Sequence, residues 1–325
     1  MTVDEINVMT KRARALPPSG DQTHVLREGA DPWVIFHKGF YYYITTDDLE
    51  TKKKILISKC KELKELATAP LIEVWPLQDK GFPNYLEVWA PELQIIDDIP
   101  YIYTSLYMGN SGGASGPKER IHCLTGPSDN LQAQYTYKTQ IKIQTDRWAI
   151  DGTVLEMPES KDKYFLWSGW DGLVNHSQNL YIAKMSNPWT IASDRVCISR
   201  PEFDWEKMGY PYINEGPQPL IHNGKVFIIY SASGSWTDNY CLGQLTYGGG
   251  DPLNPSSWHK ESKPVFSKTN TIFGPGHCCF VHDDKENDWI IYHTARSSNA
   301  GWARQVRAKQ FSWHKNDSPN FGEPQ

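Results

Sequence analysis

The sequence predicts an all-β chain folded as a five-bladed β-propeller, and three observations predict it. Short polar heads recur about sixty residues apart, at Ala30-Asp31-Pro32, Trp89-Ala90-Pro91-Glu92, Ile150-Asp151-Gly152, Asn214-Glu215-Gly216-Pro217 and Gly274-Pro275-Gly276-His277. Each head opens an apolar run, a polar turn and then an aromatic-rich strand, and the centres of those second strands (Tyr42, Tyr103, Phe165, Phe227, Ile290) stand 61, 62, 62 and 63 residues apart. No segment shows helical periodicity long enough to compete. An even period of this length marks a repeat architecture, and five equal β units fit five four-stranded blades around a central channel. Two β-sandwiches would not explain the period.

Taken in order, residues 1–28 read as an extended arm or a closing strand, punctuated by Pro17-Pro18-Ser19-Gly20, and residues 29–325 as one propeller. Val34–His37 and Phe40–Thr46 are the first two strands, joined at His37-Lys38-Gly39, and Ile55–Lys59 and Ala69–Val74 supply outer strands. Residues 60–68 could make one helical turn, which is marginal alone. The second unit turns at Asp97-Asp98, and its Tyr101–Tyr107 strand runs into a Gly/Ser loop at Met108–Lys118. The third unit turns across Ser160–Lys163, the fourth at His222-Asn223-Gly224-Lys225, and the fifth across Asp283–Asp288. Asn-Gly is the strongest hairpin signal among them. Up-and-down topology places the loops after each second strand on the face of the heads. Trp170, Trp236 and Trp302 then rim the opening, and Trp33 and Trp89 beside two of the heads join Trp170 and Trp236 as candidate sugar-stacking aromatics.

Composition narrows the function. Among 325 residues, 33 basic and 38 acidic side chains leave a net charge of −5, which gives no argument for nucleic acid or an anionic membrane as partner. The 13 Trp, 17 Tyr and 11 Phe suit half-buried pleated surfaces, with a few left over to stack on a flat ligand. Cys60, Cys123, Cys197, Cys241, Cys278 and Cys279 form no C-x-x-C pair and read as buried free thiols. The polar, charged stretch from Met1 to Gly20 has no apolar core of a signal peptide, so the sequence as it stands reads as cytoplasmic, or extracellular if it is a mature form restarted at Met1. A monomer is expected.

The heads carry the chemistry. Taken alone, Asp31-Pro32, Asp151-Gly152 and Asn214-Glu215-Gly216-Pro217 would each read as turns. Their common phase in the repeat argues otherwise, because clustered carboxylates repel and are costly to desolvate. Glycoside hydrolysis is one reason to gather them, since one carboxyl protonates the leaving oxygen and another activates water or attacks carbon. A cation site is the other, because carboxylate oxygens ligate Ca²⁺; His277 could hold such an ion only through its water shell, or donate to a sugar hydroxyl. Glu156, five residues beyond Asp151, is read as a decoy. No G-x-S-x-G, H-E-x-x-H or phosphate-cradling Gly motif occurs. A non-catalytic sugar-binding propeller is the competing class, though a binder needs no paired proton donor and acceptor.

The segments Ala-Asp-Pro-Trp-Val (30–34), Trp-Ala-Pro-Glu-Leu (89–93), Ile-Asp-Gly-Thr-Val (150–154), Asn-Glu-Gly-Pro (214–217), Tyr-Ser-Ala-Ser-Gly (230–234), Asp-Pro-Leu-Asn-Pro-Ser-Ser-Trp (251–258), Gly-Pro-Gly-His (274–277) and Asn-Phe-Gly-Glu-Pro (320–324) resemble glycoside hydrolase family 43, in order over about residues 29–324. The resemblance implies an inverting mechanism with Asp31 as general base, Glu215 as general acid and Asp151 tuning and orienting the acid, the two working carboxyls standing roughly 6.5–9.5 Å apart. It implies that His277 lies under the pocket, associated with a hydrated Ca²⁺ or other cation, and that Arg296 binds sugar hydroxyls. No cofactor is required for the chemistry. The text looks most like the α-L-arabinofuranosidases acting on arabinan or arabino-oligosaccharides, with β-xylosidase and endo-arabinanase as alternatives. Glu92 is read as structural.

Overall fold

The computed structural model describes residues 2–16, 22, 24–46, 52–77, 85–107 and 119–325. The Pro17–Gly20 segment, the Met108–Lys118 loop and residues 47–51, which follow the second strand of the first unit, fall outside the described residues.

Five antiparallel blades follow one another along the chain. Blade 1 comprises Trp33–His37, Phe40–Thr46, Lys54–Cys60 and Ile72–Pro76; blade 2 comprises Glu87–Ile96, Ile99–Tyr107, Arg120–Thr125 and Thr136–Gln140. Blade 3 is built on Ala149–Glu156, Lys163–Trp170 and Ser177–Asn187 with Val196–Ser199 outside, and blade 4 on Tyr212–His222, Lys225–Ala232, Cys241–Tyr247 and Trp258–Lys260. Blade 5 runs Phe273–His282, Asp288–Ala295 and Arg304–Gln310, and its fourth strand is Val25–Glu28, supplied by the other end of the chain. The five first strands touch one another in a closed ring around the axis. A closed ring with short outer edges manages the exposed hydrogen-bonding groups that an open sheet would present.

Strand alternation builds the core. In blade 3, Phe165 and Trp167 pack toward blade 2 while Tyr164 and Leu166, on the opposite face of the same strand, pack toward blade 4. Tyr42 and Ile44 likewise face blade 2, and Tyr41 and Tyr43 face blade 5. The result is five apolar layers, one between each adjacent pair of blades. A period-two apolar strand buried on both faces is what the aromatic second strands encode. Tight hairpins close the blades: Asn223 and Gly224 have φ of 47° and 79°, the left-handed pair that a two-residue loop requires. All six cysteines are free, and five of them are buried.

The N-terminal expectation needs correcting. Val25–Glu28 is the closing strand, but Val3–Arg14 is an α-helix (α1), where an extended arm was one of the two readings. Its buried positions are Ile6, Thr10 and Ala13, a helical spacing too weakly apolar to stand out in the sequence. Thr2 caps it, accepting from the Glu5 N–H while Glu5 accepts from the Thr2 N–H. Residues Leu63–Ala67 form the expected single turn, as a 3₁₀ helix.

Candidate active site

Four of the five first strands carry the same irregularity where the head lies. The pairing slips by one residue between Trp89 and Glu92, Ile150 and Thr153, Glu215 and Gln218, and Gly276 and Cys279. The first residue inside each slip is left-handed: Ala90 (φ 42°), Asp151 (55°), Gly216 (54°) and His277 (44°), with Asp31 (48°) in the same conformation just before the first strand of blade 1. Bulges of this kind re-aim side chains next to active sites. Left-handed non-glycine residues cost roughly 1–2 kcal/mol each and persist where the surroundings hold them.

The surroundings do so by a hydrogen-bond relay from blade to blade. Ser105 of blade 2 accepts the Asp151 N–H at 3.2 Å, Ser231 of blade 4 accepts the His277 N–H at 2.8 Å, and His293 Nδ1 of blade 5 accepts the Asp31 N–H at 3.1 Å. Ser168 of blade 3 completes the pattern by donating to the Asn214 carbonyl at 2.8 Å. These four residues occupy one position, opposite the residue that precedes each bulge.

The five heads are therefore not equivalent. Asp151 and His277 sit on the bulge itself, Asp31 is left-handed just ahead of its strand, Glu215 lies one residue before its bulge, and Glu92 two residues after Ala90. Asp31, Asp151, Glu215 and His277 line one cavity of about 730 Å³, whereas Glu92 does not. Glu92 lies deeper on the axis, accepting from Gln94 Nε2 (3.0 Å) and Gln218 Nε2 (2.6 Å), and burial pushes its carboxyl up to about 8. This amide–carboxyl plug agrees with a structural reading. Glu156 pairs with Lys163 and Lys161 at the far end of its hairpin.

Two electrostatic environments meet in the cavity. Asp31 Oδ1 lies 3.2 Å from the Arg304 guanidinium, 3.4 Å from His277 Nδ1 and 3.3 Å from His293 Nδ1. Burial opposes its ionisation, but Arg304 first and the imidazoles after it hold the carboxyl well below the usual carboxylate range. Burial lowers both histidines, His293 to about 3, so the lasting positive charge at Asp31 is Arg304. Glu215 behaves in the opposite sense. Burial raises it to about 7 against the Tyr240 hydroxyl, which donates to Oε1 at 2.8 Å. Asp151, fully buried, is also raised, by burial and then by the charges of Glu215 and Asp31, although its Oδ2 accepts the Gly216 N–H at 2.9 Å. The pair Asp151–Glu215 thus keeps a proton where Asp31 has lost its own.

A ring stack ties the two together. Tyr240 lies over His293 with centroids 5.5 Å apart and rings within 8° of parallel, and His293 faces His277 at 6.1 Å. Any side chain at Gly276 would run into the Tyr240 ring, and one at Gly216 would press on His277. Both positions are glycine for that reason.

The other expected residues divide. Trp89 and Trp236 line the cavity, as does Trp302. Trp89 stacks on Tyr107 and Trp236 meets Trp302 edge to face. Trp33 does not line it; its indole N–H donates to the Leu93 carbonyl and its ring packs between blades. Trp170 is buried behind Trp148, which takes its place on the cavity wall. Arg296 is also displaced from its expected role: its guanidinium donates to the Arg14 and Leu16 carbonyls and pairs with Glu28, tying down the N-terminal segment. The arginine beside the carboxylates is Arg304. Arg304, His293, Tyr240 and Trp148 lie outside the repeated heads, so no spacing signal marked them. Among the described residues no three His, Cys, Asp or Glu side chains converge as metal ligands, and His277 already presents Nδ1 to Asp31.

Residues 25–319 match the family described as glycosyl hydrolases family 43. The chain belongs to glycosyl hydrolase family 43. Within the family it is similar to an "Extracellular exo-alpha-(1->5)-L-arabinofuranosidase" of Streptomyces avermitilis, 34% identical over 94% of this chain and 64% of that protein. A protein of the same name from Streptomyces chartreusis is 31% identical over 86% of this chain and 84% of its own length. The crystal structure of an α-L-arabinofuranosidase from Lactobacillus brevis superposes with a TM-score of 0.84 at 31% identity, covering 93% of this chain and 97% of that one. The chain spans just under two thirds of the length of the S. avermitilis relative. The cytoplasmic expectation is overturned here, because the relatives of both Streptomyces species are named extracellular. No helix among the described residues is long and apolar enough to cross a membrane.

Proposed function

We propose that this family 43 chain is an inverting exo-acting α-L-arabinofuranosidase that releases terminal arabinofuranosyl residues from arabinan or arabino-oligosaccharides. The observation that carries the reading is the charge division in one cavity, an ionised Asp31 facing a proton-holding Glu215–Asp151 pair. Asp31 takes a proton from a water whose oxygen forms the new bond to the anomeric carbon. Glu215 gives its proton to the glycosidic oxygen as the old carbon–oxygen bond breaks, so water is consumed and no charge is left over. Asp151, held by the Gly216 N–H and itself raised by burial and by the charge of Glu215, shares the retained proton with the acid and fixes its approach. Trp89 and Trp236 supply flat walls for the sugar.

The names of the relatives from Streptomyces and Lactobacillus support arabinose over xylose as the sugar. The test is turnover of p-nitrophenyl α-L-arabinofuranoside beside p-nitrophenyl β-D-xyloside, with the anomer of the released sugar read by NMR. Arabinoside should be preferred, releasing the β-anomer; α-anomeric arabinose would overturn inversion, and turnover of neither would favour a binding module. We further propose that no metal enters the chemistry and that any hydrated Ca²⁺ near His277 is held through water on the axis. Activity after exhaustive chelation should stay within about twofold of the untreated enzyme, since no step above needs a Lewis acid; a loss restored by Ca²⁺ would reverse that assignment. The working unit we propose is a monomer, to be read by sedimentation at assay concentration, where an obligate dimer would refute it.

A further inference from the structure

Helix α1 belongs to no blade, yet it stands at the mouth of the cavity. One row of its side chains faces blade 5: Ile6, Thr10 and Ala13 are buried, and Ala13 packs against Ala300 and Ala303. Thr10 Oγ1 accepts the Trp302 N–H at 2.9 Å, and Gly301 lets the helix approach so closely that a Cβ there would stand 2.9 Å from that same oxygen. Arg296 fastens the C-terminal end through the Arg14 and Leu16 carbonyls. The adjoining row, Val3, Asn7, Lys11 and Arg14, lines the cavity together with Trp302. Residues four apart on a helix lie one above the other, so this row forms a continuous wall. Twelve residues make a wall about 18 Å long.

We propose that α1 is the specificity element that closes one end of the substrate groove, so that only a chain end, and not the interior of an arabinan, reaches Asp31 and Glu215. A polymer cut internally has to leave the cleavage point in two directions, and the helix occupies one of them on the side of Trp302. Asn7 and Lys11 present an amide and a cation to the hydroxyls of whatever sugar stops there. The wall is held by docking rather than by its own stability, because a twelve-residue helix is marginal in isolation. The inference rests on the arabinofuranosidase reading and specifies how that site selects chain ends.

Two variants test it. Ala13→Asp places a carboxylate against Ala300 and Ala303 and undocks the helix; Asn7→Ala/Lys11→Ala trims only exposed wall residues and leaves the docking row intact. Both are assayed on linear arabinan with blocked ends, on arabinotriose and on p-nitrophenyl α-L-arabinofuranoside, with folding checked by thermal melting. Wild type should release monosaccharide alone and leave blocked arabinan intact. The undocked variant should cut blocked arabinan internally at ten or more times the wild-type rate, and the trimmed variant at three or more times, with a raised KM for arabinotriose. A folded Ala13→Asp protein that leaves the blocked polymer intact overturns the proposal. If that variant does not fold, an unchanged product pattern and KM in the trimmed variant overturn it. Failure of wild type on the arabinofuranoside would instead sink the underlying reading, which separates the two.

Discussion

Asn in place of Asp31 should lower kcat/KM by about 10²–10⁴-fold, the range that loss of a positioned general base produces. Asn keeps the shape and tolerates the left-handed backbone at this position better than most residues, so the local backbone is preserved. What it removes is the negative charge that Arg304, His277 and His293 surround. The loss should be the same for every leaving group, because activation of water does not depend on what departs. Arg304 loses its carboxylate charge partner, which should be read as a fall in melting temperature with an unchanged circular dichroism spectrum. A variant that folds and keeps more than a tenth of wild-type activity would remove Asp31 from the mechanism.

The repeat was the legible part of the sequence. A sixty-residue period with polar heads located all five first strands, and the strand pairs that follow them lie within a few residues of where alternation put them, as in Phe40–Thr46. The carboxylates were legible because Asp31, Asp151 and Glu215 fall at one phase of that repeat, which unrelated turns would not share. Trp33, Trp170 and Arg296 show where this logic stops. Each lies near a head or rim loop in the chain, but side-chain direction on a twisted strand decides whether it reaches the cavity, and one residue of register reverses it. Arg304 begins an ordinary strand and became visible only once the pairing of blade 5 set it beside Asp31. Helix α1 escaped because its docking face is small and partly polar, Thr10 and Ala13 beside a single Ile6. An amphipathic search weights large apolar residues, and this interface runs on close approach at Gly301 instead.

Gln in place of Glu215 should produce the second large loss, and its dependence on the leaving group distinguishes a proton donor from a merely structural carboxyl. On arabino-oligosaccharides the departing oxygen is a sugar alkoxide, which leaves only as it is protonated, so kcat/KM should drop by about 10²–10⁴-fold. A dinitrophenolate leaves without help, and on that substrate the loss should be on the order of tenfold or less. The pH profile supplies an independent sign. Glu215, raised to about 7 by burial, acts while protonated, so wild-type kcat/KM should decline as pH rises through that value. Because Asp151 is raised beside it, the limb belongs to the pair rather than to one residue. Gln neither gains nor loses a proton, so the decline should vanish in the variant together with most of the rate. Asp31, held low by Arg304, sets the other limb well under neutrality, and that limb should survive the substitution. Tyr240 can donate to a Gln oxygen as it does to Glu215, so the variant should melt close to wild type. Equal losses on good and poor leaving groups, or an alkaline limb that persists in the variant, would assign the proton to another group.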